Sequence, residues 1–298
     1  MKNIFEGLGV ALVTPFLPNG KIDFEGLEKL LNHVIYNNVN YVVSLGTTGE
    51  NATLFTDEKL AIFDFTLDIV KHRIPVVAGW GGNNTEALIR GFSQYNFKQF
   101  EAILSVSPYY NKPTQQGIYK HYQRLVDNSP TPIILYNVPG RTSSNITADT
   151  TTQLANNFDK IIGIKEASGN LVQCMHIINN IKRPNFSLIS GDDHLTLPLI
   201  ALGASGVISV VGNAFPQEFG NMVRAALAGN FEQARKPHFK LLKLIDLLFA
   251  EGNPAGIKAT LHLLGIGNNI VRAPLEPIST YCYKALAHEI EKIVSVKV

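Results

Sequence analysis

The chain has 298 residues, 45% of them hydrophobic, which is long enough for a large core and too apolar for a disordered polymer. Twenty-six Lys and Arg against 24 Asp and Glu leave a net charge of +2 with no block of like charge; that balance argues against an electrostatic nucleic-acid or membrane partner and suits a small polar substrate. Cys174 and Cys282 lie far apart, without metal-ligand or redox spacing, so they point to a reducing compartment and no disulfide framework.

The opening segment MKNIFEGLGVALVTPF carries a short apolar stretch, interrupted by Gly7 and Gly9 and closed by Pro15, without the h-region or cleavage site of a secretory signal. No apolar run reaches the roughly 18 residues of a membrane span. Short β-branched runs then alternate with longer helical patterns. They predict eight strands, over 10–13, 41–45, 76–78, 102–105, 133–136, 161–164, 187–190 and 206–208. Helical spacing lies between them, as in Leu27, Leu30, Leu31, Val34 and in Leu60, Phe63, Leu67, Val70. A repeat of roughly 30 residues is the size of one βαβ unit. Near-continuous apolar strands in such units predict an α/β chain folded as a (β/α)8 TIM barrel. An open doubly wound sheet would carry a GxGxxG or GxxxxGKS/T loop after an early strand, and the sequence has neither.

Beyond the eighth strand the pattern is wholly helical, over 215–228, 231–250, 257–264 and 278–294, punctuated by Gly229, Gly252, Pro254, Gly265 and Pro274. The first of these helices completes the barrel. The organisation predicted is a catalytic barrel over 1–228 and a C-terminal helical region over 229–298 packed on it.

In such a barrel, chemistry sits at the C-terminal ends of the strands. The sixth strand ends in Lys165, after Ile161, Ile162, Gly163 and Ile164. A lysine is a nucleophile only as its free amine, a form that desolvation favours. The same placement also suits a lysine that extends its ammonium to water along an apolar stem. Strand alternation decides what surrounds an inward Lys165: Gly163 and Ile161 share its face, with Gly163 leaving room beneath the amine, while Ile162 and Ile164 face the helices. Tyr136, one βα unit earlier at the end of the fifth strand, shares the inward face with Ile134, and the two side chains can meet on neighbouring strands.

The second strand ends in Gly46, Thr47, Thr48, Gly49 and Glu50, two hydroxyls on a glycine-flanked turn that suits a small carboxylate or the cap of the next helix. Arg141, presented by Pro139 and Gly140, can pair with a carboxylate in bidentate fashion or stand in solvent. Gly191, Asp192, Asp193 and His194 follow the seventh strand, where acidic residues more often cap a helix than hold a metal, and no metal is expected. Tyr109 and Tyr110 stand between Pro108 and Pro113 in a stiff aromatic loop that would face a substrate or a partner chain. No GxSxG elbow supports acyl transfer, and Trp80 has no evident role.

Taken in order, GTTGE, SPYYNKPTQQG, YNVPGRT, GIKEASGN, SGDD and GVISV stand at their strand ends, and over about residues 5–295 the chain resembles the dihydrodipicolinate synthase family. GTTGE or GIKEASG alone would indicate only the wider pyruvate-dependent Schiff-base aldolases and lyases, which include N-acetylneuraminate lyase and keto-deoxy-sugar aldolases. YNVPGRT discriminates, because the sugar-acid relatives generally lack that arginine. The resemblance implies a lyase that condenses pyruvate with L-aspartate 4-semialdehyde to 4-hydroxy-tetrahydrodipicolinate, on the cytoplasmic route to diaminopimelate and lysine. It implies no cofactor beyond a covalent Schiff base of pyruvate on Lys165.

Further roles follow from the same resemblance. Thr47 and Thr48 would hold pyruvate, and Thr47, Tyr136 and Tyr110 would form a hydroxyl relay with Tyr110 given by an adjacent subunit. That arrangement implies a homotetramer built as a dimer of dimers. Arg141 would take the carboxylate of the second substrate, and Gly191 and Ile208 would stand near the pyruvate pocket. Asn51, Ala52, Lys59, Asn83 and Tyr109 align with the inhibitor site of lysine-regulated members, which carry histidine or glutamate where this chain has Lys59 and Ala87. Weak or absent feedback by lysine is therefore expected. Two alternatives remain: a sister aldolase acting on a sugar acid through the same lysine, and a non-catalytic ligand-binding barrel.

Overall fold

A computed structural model describes residues 4–295, and the ends of the two expected regions, 1–3 and 296–298, lie outside the described residues. Eight parallel strands close into a barrel in chain order: β1 (Gly7–Ala11), β2 (Tyr41–Ser44), β3 (Val76–Gly79), β4 (Ala102–Val106), β5 (Ile133–Asn137), β6 (Ile161–Glu166), β7 (Ser187–Ser190) and β8 (Gly206–Ser209). Closure is made by β1 on β8, with Gly7 opposite Gly206 and Val10 opposite Ser209. Crossover helices cover the outside: α1 (Phe24–Tyr36), α2 (Thr56–Val70), α3 (Thr85–Gln94), α4 (Gln115–Asn128), the short α5 (Pro139–Thr142), α6 (Ala148–Asn157), α7 (Leu171–Asn180), α8 (Thr196–Ala201) and α9 (Pro216–Leu227).

The strands are apolar throughout because both faces are buried. Val42, Val76, Ile103, Ile133, Leu135 and Val207 pack outward under the helices. Their neighbours Val43, Val77, Leu104, Ile134, Tyr136 and Ile208 fill the barrel interior. The helices dock by their predicted stripes, as Leu27, Leu30, Leu31 and Val34 are all buried in α1. Several loops end in a side chain that caps the next helix: Asp23, Asn84, Thr114, Thr147 and Asn170 each accept from a backbone amide of the first turn. Among the described residues no helix is long and apolar enough to cross a membrane.

Two strand expectations need correction. The first strand is Gly7–Ala11, not 10–13. Gly9 belongs inside it because the Tyr41 ring fills the space where its side chain would point; a Cβ there would come within 2.3 Å of the ring. In β6 the inward face does not continue back to Ile161. Ile133 pairs with Ile161 but Ile134 with Gly163, so Ile162 is an extra residue that turns toward the interior and sends Ile161 outward.

After α9 come α10 (Phe231–Ala250), α11 (Ala255–Leu263) and α12 (Thr280–Ser295). Helix α10 packs along α9, and α12 lies against α10 and α11. Leu241, Leu244, Ile245 and Leu248 of α10 and Ile257 and Leu261 of α11 join the same hydrophobic cluster as the outer faces of the strands.

Candidate active site

Lys165 and Tyr136 are direct partners in the β5–β6 register. Both are buried, and the Lys165 Nζ stands 4.4 Å from the centroid of the Tyr136 ring. The bulge at Ile162 restores the alternation that aims both side chains inward. Gly191 presses on the lysine stem: a Cβ there would lie 3.1 Å from Lys165 Cγ and Cε. A Cβ on Gly163 would strike the Ser187 carbonyl at 2.7 Å, so the glycine admits the close approach of the neighbouring strand.

The carboxylate next in sequence is kept away from that amine. Glu166 accepts from Asn137 Nδ2 at 3.1 and 3.0 Å, from Gln173 Nε2 at 2.8 Å and from the Ser168 amide at 2.8 Å. Such a set of donors holds the charge on the opposite face of the strand. Lys165 Nζ makes no hydrogen bond or ion pair with another described residue.

At the end of β2 the chain makes a single 3-10 turn over Thr47–Gly49, with Leu45 and Glu50 in the left-handed region at φ 61° and 54°. Thr14 Oγ1 donates to the Gly49 carbonyl at 2.7 Å. The fully buried Glu50 is ion-paired to Lys258 of α11 and accepts from the Arg272 amide at 2.9 Å. Burial lowers Lys258 to about 8, against the opposing pull of Glu50. Lys258 Nζ and the Arg272 guanidinium lie 4.1 and 4.5 Å from the centre of the Phe16 ring, and Arg272 grips Glu58 through two bonds of 2.7 and 2.6 Å.

Above these groups opens a cleft of about 350 Å³. Thr47, Tyr136 and Arg141 line it, together with Asn51, Ala52, Lys59 and Tyr109, so the expected substrate and regulatory positions share one concavity. Burial lowers the pKa of Lys59. Thr48 and Lys165 are buried and stand outside the cleft wall, Ile208 lies inside the barrel, and Asn83 Nδ2 donates to the Tyr109 carbonyl at 3.2 Å. No hydrogen bond joins the hydroxyls of Thr47 and Tyr136. Tyr110 is not brought in at all: it is 89% exposed, at φ 72°, and does not reach the cleft of its own chain.

The remaining candidates have structural employment. Asp193 Oδ2 accepts from the Val210 and Val211 amides, and His194 bonds Asp246 of α10 at 3.0 Å. Hydrogen bonding to Asp192 and Asp246 raises the His194 pKa. Trp80 packs on Phe97 and donates to the Leu88 carbonyl, seating α3 on the barrel. Cys174 and Cys282 are free and buried.

Sequence reading missed the contribution of the C-terminal region. Asn253, Pro254, Pro274 and Leu275 form one wall of the cleft. The Gly252, Asn253, Pro254 run reads locally as a loop, and nothing in it announces a site. A weaker signal existed in α11, where Lys258 is the one Lys, Arg, Asp or Glu in a helix otherwise made for burial.

The sequence matches the model of the "Dihydrodipicolinate synthetase family" over residues 4–293. It is 48% identical over 292 residues to the 4-hydroxy-tetrahydrodipicolinate synthase of Parabacteroides distasonis, covering 98% of each chain. The crystal structure of dihydrodipicolinate synthase from Thermotoga maritima superposes with a TM-score of 0.95 at 38% identity, over 98% of this chain and 99% of that one. A solved protein described as the first monomeric dihydrodipicolinate synthase variant also gives 0.95 at 38% identity, over 98% and 97%.

Proposed function

The chain belongs to the dihydrodipicolinate synthetase family, and from that membership we propose that it condenses pyruvate with L-aspartate 4-semialdehyde to 4-hydroxy-tetrahydrodipicolinate, on the route to diaminopimelate and lysine. The observation that carries the reading is the buried Lys165 amine, set over the ring of Tyr136, which lines the same cleft as Arg141, and paired with no carboxylate among the described residues. Lys165 Nζ attacks the ketone carbon of pyruvate, and loss of water leaves an iminium. A proton then leaves the methyl group to give an enamine, whose carbon attacks the aldehyde of the second substrate. The amine of that substrate closes on the imine carbon and releases Lys165. Every step is redox-neutral, so the reaction calls for no electron carrier and no cofactor beyond the covalent imine.

Thr47 and Thr48 hold the pyruvate carboxylate, near Gly191 and Ile208. Arg141 takes the carboxylate of the second substrate and orients its aldehyde. Protons pass along Thr47, Tyr136 and Tyr110 of the partner subunit; hydroxyls suit that task because they accept and donate without placing a fixed charge beside the amine. The exposure of Tyr110 at the tip of its loop supports its delivery to a neighbouring copy, in a homotetramer built as a dimer of dimers. The setting is the cytoplasm, which suits two buried free cysteines.

Borohydride reduction in the presence of pyruvate, followed by peptide mass mapping, tests the central step. The expected adduct is on Lys165, and reduction that labels another residue, or none, overturns the mechanism. Arg141→Ala should cripple turnover of aspartate semialdehyde while leaving pyruvate trapping intact; undiminished turnover would remove Arg141 from its role.

A further inference from the structure

The C-terminal region meets both proposed substrate anchors through one residue. Asn253 is 7% exposed and lines the cleft. Its Nδ2 donates to Thr48 Oγ1 at 3.0 Å, and its backbone carbonyl accepts from the Arg141 guanidinium at 3.4 Å. The segment that carries it is anchored close by, through the buried Lys258–Glu50 ion pair and the Arg272 amide on Glu50.

The direction of the first bond matters. A threonine hydroxyl has one proton to donate and two lone pairs. When a lone pair of Thr48 is engaged by the Asn253 amide, the proton is left free to point at an anion. Were Asn253 to accept from Thr48 instead, that proton would be consumed and the hydroxyl would show only lone pairs to a carboxylate. The second bond, made by the main chain, restrains Arg141 whatever side chain stands at 253.

We propose that Asn253 is a positioning residue: by donating its side-chain amide to Thr48 it turns the Thr48 proton toward the pyruvate carboxylate, while its carbonyl steadies Arg141. This rests on the roles given to Thr48 and Arg141 above.

Steady-state kinetics on the full-length protein separates the two bonds. Asn253→Ala removes only the side-chain donor, so the KM for pyruvate should rise roughly three- to tenfold while that for aspartate semialdehyde changes less than about twofold. Asn253→Asp, similar in shape but able only to accept when ionised, should be worse for pyruvate than Asn253→Ala, and it carries the test if the alanine variant folds poorly. In a Thr48→Val background Asn253→Ala should add nothing further. Equal rises in both KM values, an aspartate variant better than alanine, or a full effect surviving in Thr48→Val would each overturn the assignment. Borohydride trapping run alongside keeps the two readings apart. A normal Lys165 adduct in the parent with no kinetic split sinks only the role of Asn253, whereas no adduct in the parent removes the premise and the inference together.

Discussion

Gly191→Ala is a one-methyl test of how the lysine is aimed. Gly191 lies outside the left-handed region, so an alanine can adopt its backbone and the effect is steric. The new Cβ would stand 2.7 Å from Ala167 Cβ and 3.1 Å from Lys165 Cγ and Cε, against a comfortable carbon separation of about 3.5–4.0 Å. The backbone cannot easily retreat, because the Gly191 amide donates to the Glu166 carbonyl at 2.8 Å and extends the β6–β7 ladder. Of the groups that must yield, the lysine stem is the flexible one, and it would swing the amine against or past the Tyr136 ring. Overpacking of this kind costs about 1–3 kcal/mol of stability. A displacement of about 1 Å at a reacting atom costs on the order of a hundredfold in rate. Turnover in a coupled assay and the rate of borohydride-trapped adduct should therefore fall together by about that factor, with the fold intact by circular dichroism. A variant that keeps more than half the parental trapping rate would refute the claim that Gly191 sets the position of Lys165.

Other outcomes follow from charged groups beyond Lys165. Lys258→Met strands the buried Glu50 and should lose about 3–5 kcal/mol in urea titration, while Glu50→Gln combined with Lys258→Met recovers most of it; a double variant as weak as the single one contradicts the pairing argument. His121 is buried, which lowers it to about 4 from about 6.5 in the unfolded chain. Between those values the unfolded state binds a proton that the native state refuses, so stability falls as pH drops from about 6.5 to 4, by at most about 3 kcal/mol from this residue. His121→Gln should flatten that part of the pH dependence, and an unchanged slope would show that His121 is protonated without penalty. The Lys59 ammonium disfavours a second cation in the cleft: at roughly 5 Å and an effective dielectric of about 20, like charges cost about 3 kcal/mol. Lysine at millimolar concentration should therefore barely inhibit, and potent inhibition in a coupled assay would contradict that electrostatic argument.

The barrel was legible because parallel strands buried on both faces write themselves as short apolar runs, and the helices between them keep the period of one buried stripe. The candidate site was legible where a polar side chain ends such a run, as Lys165 and Tyr136 do. Errors arose where a neighbour in space overruled local pattern. Gly9 looks like an interruption until the Tyr41 ring is seen to occupy its place, and the parity of Ile161 is undone by a bulge that leaves no mark in the apolar run from Ile161 to Ile164.

The wall contributed by the C-terminal region illustrates a different limit. Asn253 meets Thr48 across 205 positions and Lys258 meets Glu50 across 208, separations over which no spacing rule operates. Yet one end of the second pair could have been suspected. Every residue of α11 from Ala255 to Leu261 is buried, so the helix has no solvent face to which Lys258 could extend its ammonium. A lysine in that position needs a carboxylate brought to it. The partner supplied, Glu50, directly follows the turn that carries Thr47 and Thr48, so the charge that stabilises the C-terminal region also fixes the end of β2 on which the proposed pyruvate site is built.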